Sequence, residues 1–119
     1  MKMDLEVFGS FKASHSLAGF ETPHFHLWKM SVCFTSDFPM KEDRILDLVF
    51  LQNTIQEITR PIQGCYLNTT LAFSPTSENM TAWLWDRVTA VLPDAPLKSI
   101  QITLCSLDGE AMGSATLHK

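Results

Sequence analysis

The sequence predicts an α+β fold: one open, four-stranded antiparallel sheet with two helices packed on one face, in the order β-β-α-α-β-β. Three observations predict it. Apolar residues alternate over residues 4–15 and again from His24 to about Ser36, the period of two that a half-buried strand requires. They then recur every three or four positions over 47–59 and between Thr76 and Pro93, the period of amphipathic helices. Alternation returns at Ile100, Ile102 and Leu104, and an Asp108-Gly109 turn leads into a last strand over 110–117. Two hairpins and a helix pair of matching length close into one layer of sheet and one of helix.

In the first strand Leu5, Val7, Phe11 and Ala13 share a face that ends at His15, while Glu6, Ser10, Lys12 and Ser14 point the other way; Gly9 suggests a bulge. Gly19 and Pro23 mark residues 16–23 as a connecting loop. The second strand puts His24, His26, Trp28, Met30, Val32 and Phe34 on one face. Leu48, Leu51, Ile55 and Ile58 form the apolar stripe of the first helix, which Pro61 stops. Residues 60–75 read as irregular. Thr76 is placed to cap the second helix and Glu78 to sit in its first turn, at the positive end of the dipole. Met80, Leu84, Val88 and Val91 form its buried stripe, widened by Trp83, and Pro93 and Pro96 end it.

A chain of 119 residues suggests a single domain, 1–119, able to build a real core. With 45% hydrophobic and 18% charged residues it reads as globular rather than disordered. The net charge of -4 and the lack of any basic run argue against nucleic acid and anionic membrane surfaces as partners. The longest apolar stretch, Leu46 to Leu51, is broken by Asp47 and too short to span a bilayer. The first residues lack the apolar region of a signal peptide. Three well-separated cysteines, Cys33, Cys65 and Cys105, fit a reducing compartment better than a disulfide framework. Together these place the chain in the cytoplasm. An open sheet leaves two edges, which are ordinarily protected or paired with another subunit, so oligomerisation is expected.

The chemistry concentrates between Phe11 and His26, which hold three of the four histidines. His24 and His26, two apart on a strand, face one way. A neighbouring strand ending at His15 brings a third ring alongside. Three neutral imidazoles with an open fourth position suit a catalytic zinc ion; the competing reading is three unconnected histidines near a loop.

On this element order the sequence resembles the 6-pyruvoyltetrahydropterin synthase / 6-carboxytetrahydropterin synthase family from the first strand to the last. Phe11-x-Ala13-x-His15 resembles the family's F-x-A-x-H. His24-Phe25-His26 with Leu27 to Val32 resembles its H-G-H and the strand that follows. Ile45-Leu46-Asp47-Leu48 with Leu51 resembles V-x-D-F-x-x-L, and Tyr66-Leu67-Asn68 resembles the L-N after the family's Asp-His pair. Pro75-Thr76-Ser77-Glu78-Asn79, with Trp83 and Trp85, resembles P-T-x-E-N and the helix it starts. The resemblance implies the tunnelling fold, in which subunits join their sheets into a barrel, here a homo-oligomer (trimer or hexamer). It implies zinc on His15, His24 and His26, a pterin-like small-molecule ligand, and lyase chemistry on a reduced pterin.

The sequence also departs from the family. The catalytic cysteine's place holds Phe20, the Asp-His pair falls at Gln63 and Gly64, the pterin-anchoring acid falls at Leu104, and the glycine of H-G-H is Phe25. Neither Gln63 nor Gly64 can shuttle a proton near neutral pH. Glu21, three residues before His24, is the remaining candidate base, or a solvated loop carboxylate. Thr76 and Glu78 are candidate substrate-binding residues as well as helix-start residues. Cys65 is either near the site or a buried filler. Two functions follow. One is a zinc-dependent lyase acting on 7,8-dihydroneopterin triphosphate or a related reduced pterin. The other is a zinc-binding paralogue without the ancestral activity, binding another small ligand or serving as an assembly subunit.

Overall fold

The computed structural model describes residues 1–17 and 22–119. Strands β1 (Lys2–His15), β2 (His24–Asp37), β3 (Leu97–Cys105) and β4 (Ala111–His118) form one antiparallel sheet in the order β1-β2-β3-β4. Between the hairpins lie helix α1 (Leu48–Thr59), a 3-10 turn (Arg60–Ile62), a one-turn helix α2 (Leu67–Thr70) and helix α3 (Ser77–Val91). The predicted order holds, with α2 and the 3-10 turn added inside the stretch expected to be irregular. Pro61 sits in the first turn of the 3-10 segment, where a missing N–H costs nothing. Helix α1 ends at Thr59, just before Pro61, as expected.

The β1–β2 ladder runs without a slip from Lys2↔Asp37 to His15↔His24. It places Val7 opposite Val32 and Phe11 opposite Trp28 on the helix-covered face. Val7, Phe11, Trp28, Met30, Ile100 and Ile102 pack there against Leu51 and Ile55 of α1 and Met80, Leu84 and Val88 of α3. Trp83 and Trp85 lie partly buried against the same core. Asp47 caps α1 by accepting the Phe50 N–H at 3.1 Å, so the helix starts one residue later than its periodicity suggests. Leu48 and Val91, both expected in buried stripes, are about half exposed. Each is the terminal residue of its helix.

Gly9 makes no bulge, since Gly9 pairs with Met30 in unbroken register. It serves the packing of α1 instead. A Cβ there would lie 2.7 Å from Gln56 Oε1, 2.9 Å from Met30 Cε and 3.4 Å from Ile55 Cγ2. Gly9→Val is therefore expected to cost about 1–3 kcal/mol by overpacking, read from the urea midpoint at unchanged slope. Gly9→Ala should cost less, because the two closest atoms end flexible side chains.

The outer edge of β1 is covered over its second half by the chain's own α1–α2 region. The Ser10 N–H donates to Gln56 Oε1 at 3.2 Å and the Lys12 N–H to Gln63 Oε1 at 3.2 Å. The Gly64 N–H donates to the Lys12 carbonyl at 2.7 Å, and the Ser14 N–H to the Cys65 carbonyl at 2.9 Å. Edge protection, expected from topology, is thus partly internal. No described helix is long and apolar enough to cross a membrane.

Candidate metal centre

Strand pairing alone brings the three histidines together. His15 ends β1, His24 and His26 open β2, and the terminal pair of the ladder is His15↔His24, with Ala13↔His26 two steps in. All three side chains therefore leave the sheet on one face. Each offers a ring nitrogen, and these atoms lie within 4.8 Å of one another. The rings meet edge to face, with centroids 4.4 Å apart for His24 and His26, 5.0 Å for His15 and His26, and 5.3 Å for His15 and His24. His15 and His26 are buried and His24 is exposed, so the cluster opens on the His24 side.

Hydrogen bonds set which nitrogen each ring presents. His15 Nδ1 lies 2.9 Å from the Pro75 carbonyl, His24 Nδ1 3.0 Å from the Thr22 carbonyl and His26 Nδ1 3.2 Å from the Cys105 carbonyl. A carbonyl only accepts, so each Nδ1 carries the proton. Nε2 is then the ring nitrogen able to act as a metal donor. Backbone carbonyls in this outer role fix the tautomer and raise the basicity of metal-bound histidines. Three neutral Nε2 donors with one open side match the donor set of a zinc site, so the residues fit the ion that the spacing suggested.

The floor of the cluster is Trp28. Its ring is fully buried, lies 5.0 Å from His15 edge to face and stacks on Phe11 at 5.7 Å and 6°. Its Nε1–H donates to the Ala13 carbonyl at 3.2 Å. At the opposite end of β1, the hydrogen bond from Lys98 holds the Asp4 carboxyl down and that same bond pushes the Lys98 ammonium up. Burial raises the Cys33 thiol.

The other predicted residues take these places. Thr76 caps α3, its hydroxyl accepting the Asn79 N–H at 3.1 Å, and Glu78 is exposed in the first turn. Both follow Pro75, whose carbonyl holds His15. Glu21 lies outside the described residues, as does Phe20. Cys65 is half-buried, its thiol donating to the Pro61 carbonyl at 3.4 Å. Gln63 spends its side-chain oxygen on β1, and Gly64 has φ 77°, a left-handed conformation that a side chain there would strain. Leu104 packs against the core.

Sequence reasoning missed the residues that steady His15 from behind. Asn68 accepts the Ser16 N–H through Oδ1 at 2.9 Å and donates through Nδ2 to the Ser16 carbonyl at 2.7 Å. The Tyr66 and Ser16 hydroxyls are 2.6 Å apart. The signal was the Tyr66-Leu67-Asn68 motif itself, but only the fold shows what it touches.

No curated protein matches the chain by sequence. Among solved structures, Caenorhabditis elegans 6-pyruvoyl tetrahydropterin synthase aligns with a TM-score of 0.79 at 16% identity, covering 100% of this chain and 96% of that one. A catalytic-residue mutant of Plasmodium vivax 6-pyruvoyltetrahydropterin synthase aligns at 0.72 and 12% identity, covering 100% and 98%. An uncharacterized protein from Wolinella succinogenes aligns at 0.76 and 12% identity, covering 100% and 99%. These likenesses fix the fold. The family model for 6-pyruvoyl tetrahydropterin synthase matches residues 4–112, a span that runs from Asp4 in β1 to the first two residues of β4 and takes in the helices and the three histidines. This chain belongs to the 6-pyruvoyl tetrahydropterin synthase family.

Proposed function

We propose that the chain is a zinc protein acting as a lyase on 7,8-dihydroneopterin triphosphate or a related reduced pterin, with His15, His24 and His26 holding the ion. The observation that carries this reading is the common orientation of the three imidazoles, each with its Nδ1 committed to a backbone carbonyl. When bound, zinc would act as a Lewis acid toward the oxygens of the pterin's side chain. The protein's part is to keep three neutral donors aimed at one point and to leave the exposed His24 side open for the ligand. Thr76 and Glu78, beside the carbonyl that orients His15, are the ligand contacts in this reading. Glu21 is the base that takes the substrate's proton onto its carboxylate. In the Plasmodium vivax relative the catalytic residue replaced is likewise a glutamate. We place the protein in the cytoplasm as a homo-oligomer, a trimer or hexamer.

A second reading has its own support: a zinc-binding paralogue that binds another small ligand or serves as an assembly subunit. Gln63 is tied to the β1 edge, Gly64 has a backbone hostile to a histidine, and Leu104 fills its place with hydrocarbon. One experiment separates the two. Zinc-loaded protein is incubated with 7,8-dihydroneopterin triphosphate, and release of triphosphate or acetaldehyde is followed. The lyase reading expects turnover that a chelator abolishes and that Glu21→Gln lowers by about a hundred- to ten-thousand-fold, the usual worth of a general base. Full turnover in Glu21→Gln would remove that residue's role. Stoichiometric zinc without turnover would establish the paralogue.

A further inference from the structure

The end of β1 is a difficult place for a metal ligand. His15 pairs with His24 at the last rung of the ladder, where strands fray, and its outer neighbours Ser14 and Ser16 face away from β2. The chain leading into α2 stops that fraying. The Ser14 N–H is taken by the Cys65 carbonyl, so the residue before His15 is pinned. The residue after it is pinned twice, because the Asn68 amide accepts the Ser16 N–H and donates to the Ser16 carbonyl. A side-chain amide is the group that can satisfy both the donor and the acceptor of one backbone residue.

We propose that Asn68 is a positioning residue for the metal: by clamping both backbone groups of Ser16 it holds His15 Nε2 at the ion's position. The inference rests on the zinc reading above and adds to it a residue that never touches the ion. His15 is then fixed from three sides, by Cys65 before it, Asn68 after it and Pro75 at its ring, while His24 is the exposed member of the cluster. Loss of an outer partner that orients a ligand typically costs ten- to a hundredfold in metal affinity; Asn68 acts one residue away from the ligand, through two bonds to the Ser16 backbone at once.

The test is cobalt(II) titration of the metal-free protein, followed by its visible absorption and by competition with zinc. Wild type is expected to bind one ion per chain with the intense absorption of a tetrahedral site. Asn68→Ala should bind about ten- to a hundredfold more weakly, with weakened and shifted absorption at saturation. Asn68→Asp keeps the bond from the Ser16 N–H and loses the one to its carbonyl, so it should fall between; it decides the matter alone if the alanine variant does not fold. Gln56→Ala is the control, removing a side-chain bond to the Ser10 N–H on the same strand edge, remote from the histidines, and should lower stability with affinity and spectrum unchanged. Affinity and spectrum equal to wild type in the Asn68 variants would overturn the positioning role, as would an equal loss in Gln56→Ala. A wild-type protein that binds no cobalt or zinc would overturn the zinc reading and this inference together.

Discussion

His15→Ala is expected to weaken zinc binding by more than about a hundredfold, beyond the ten- to hundredfold typical of losing an outer partner. It removes one of three donors, and the best supported of them. The effect is legible in stability as well as in affinity. An ion that binds only the folded state at 100 times its Kd adds about 2.7 kcal/mol, which in a domain of this size raises the Tm by roughly 10 °C. Wild type should show that rise on adding zinc, and His15→Ala at the same zinc concentration should show almost none. The companion variant His24→Ala should lose the zinc-dependent rise while leaving the metal-free Tm near the wild-type value, because His24 is exposed. An equal zinc-induced rise in wild type and His15→Ala would remove His15 from the site.

Trp28→Ala should be the most destabilising single truncation, at about 3–5 kcal/mol. Few side chains in the chain are so fully engaged. The indole is completely buried, stacks on Phe11, and spends its N–H on the Ala13 carbonyl. Truncation leaves a cavity beneath His15 and removes the indole's hydrogen bond to the Ala13 carbonyl, which keeps its place in the ladder opposite His26. Against a total stability of about 5–15 kcal/mol for an ordinary domain, that loss consumes a large part of the margin. Trp28→Phe keeps most of the ring and loses the hydrogen bond, so about 0.5–1.5 kcal/mol is expected for that bond, the Ala13 carbonyl keeping its ladder partner. Urea denaturation of the metal-free proteins measures both, and a loss below about 1 kcal/mol in the alanine variant would show that the core closes over the gap.

Much of this fold was legible because its strands are long and strictly alternating. Phe11, Ala13 and His15 on one strand and His24, His26 and Trp28 on the next could share a face only if the strands paired, and they do. The N-cap of α3 was legible because Thr76 stands directly before a helical stripe. Helix α2 was not, since a one-turn helix has too few residues to show a period and is held by its contacts with β1. Leu48 and Val91 misled because periodicity reports which way a side chain points and says nothing of how well it is covered at a helix end. The carbonyls of Thr22, Pro75 and Cys105 were beyond any reading of side chains, because every residue has a carbonyl and only tertiary structure chooses among them. Glu21 stays where the sequence put it, outside the described residues.

The unbroken β1–β2 ladder has a consequence for how the hairpin finds its alignment. Fourteen residues on each side carry no bulge to mark a place, so their alignment rests on which side chains meet across the pair. A slip by one residue would turn His15 to the opposite face from His24 and His26. A slip by two would keep the faces and move His15 along the row. Only the native alignment puts three imidazoles around one point, so a bound ion would act as a checkpoint on strand pairing, rewarding the one correct alignment with the ion's binding energy. The same alignment seats Phe11 beside Trp28. Folding accuracy and ligand chemistry would then be selected through the same three side chains.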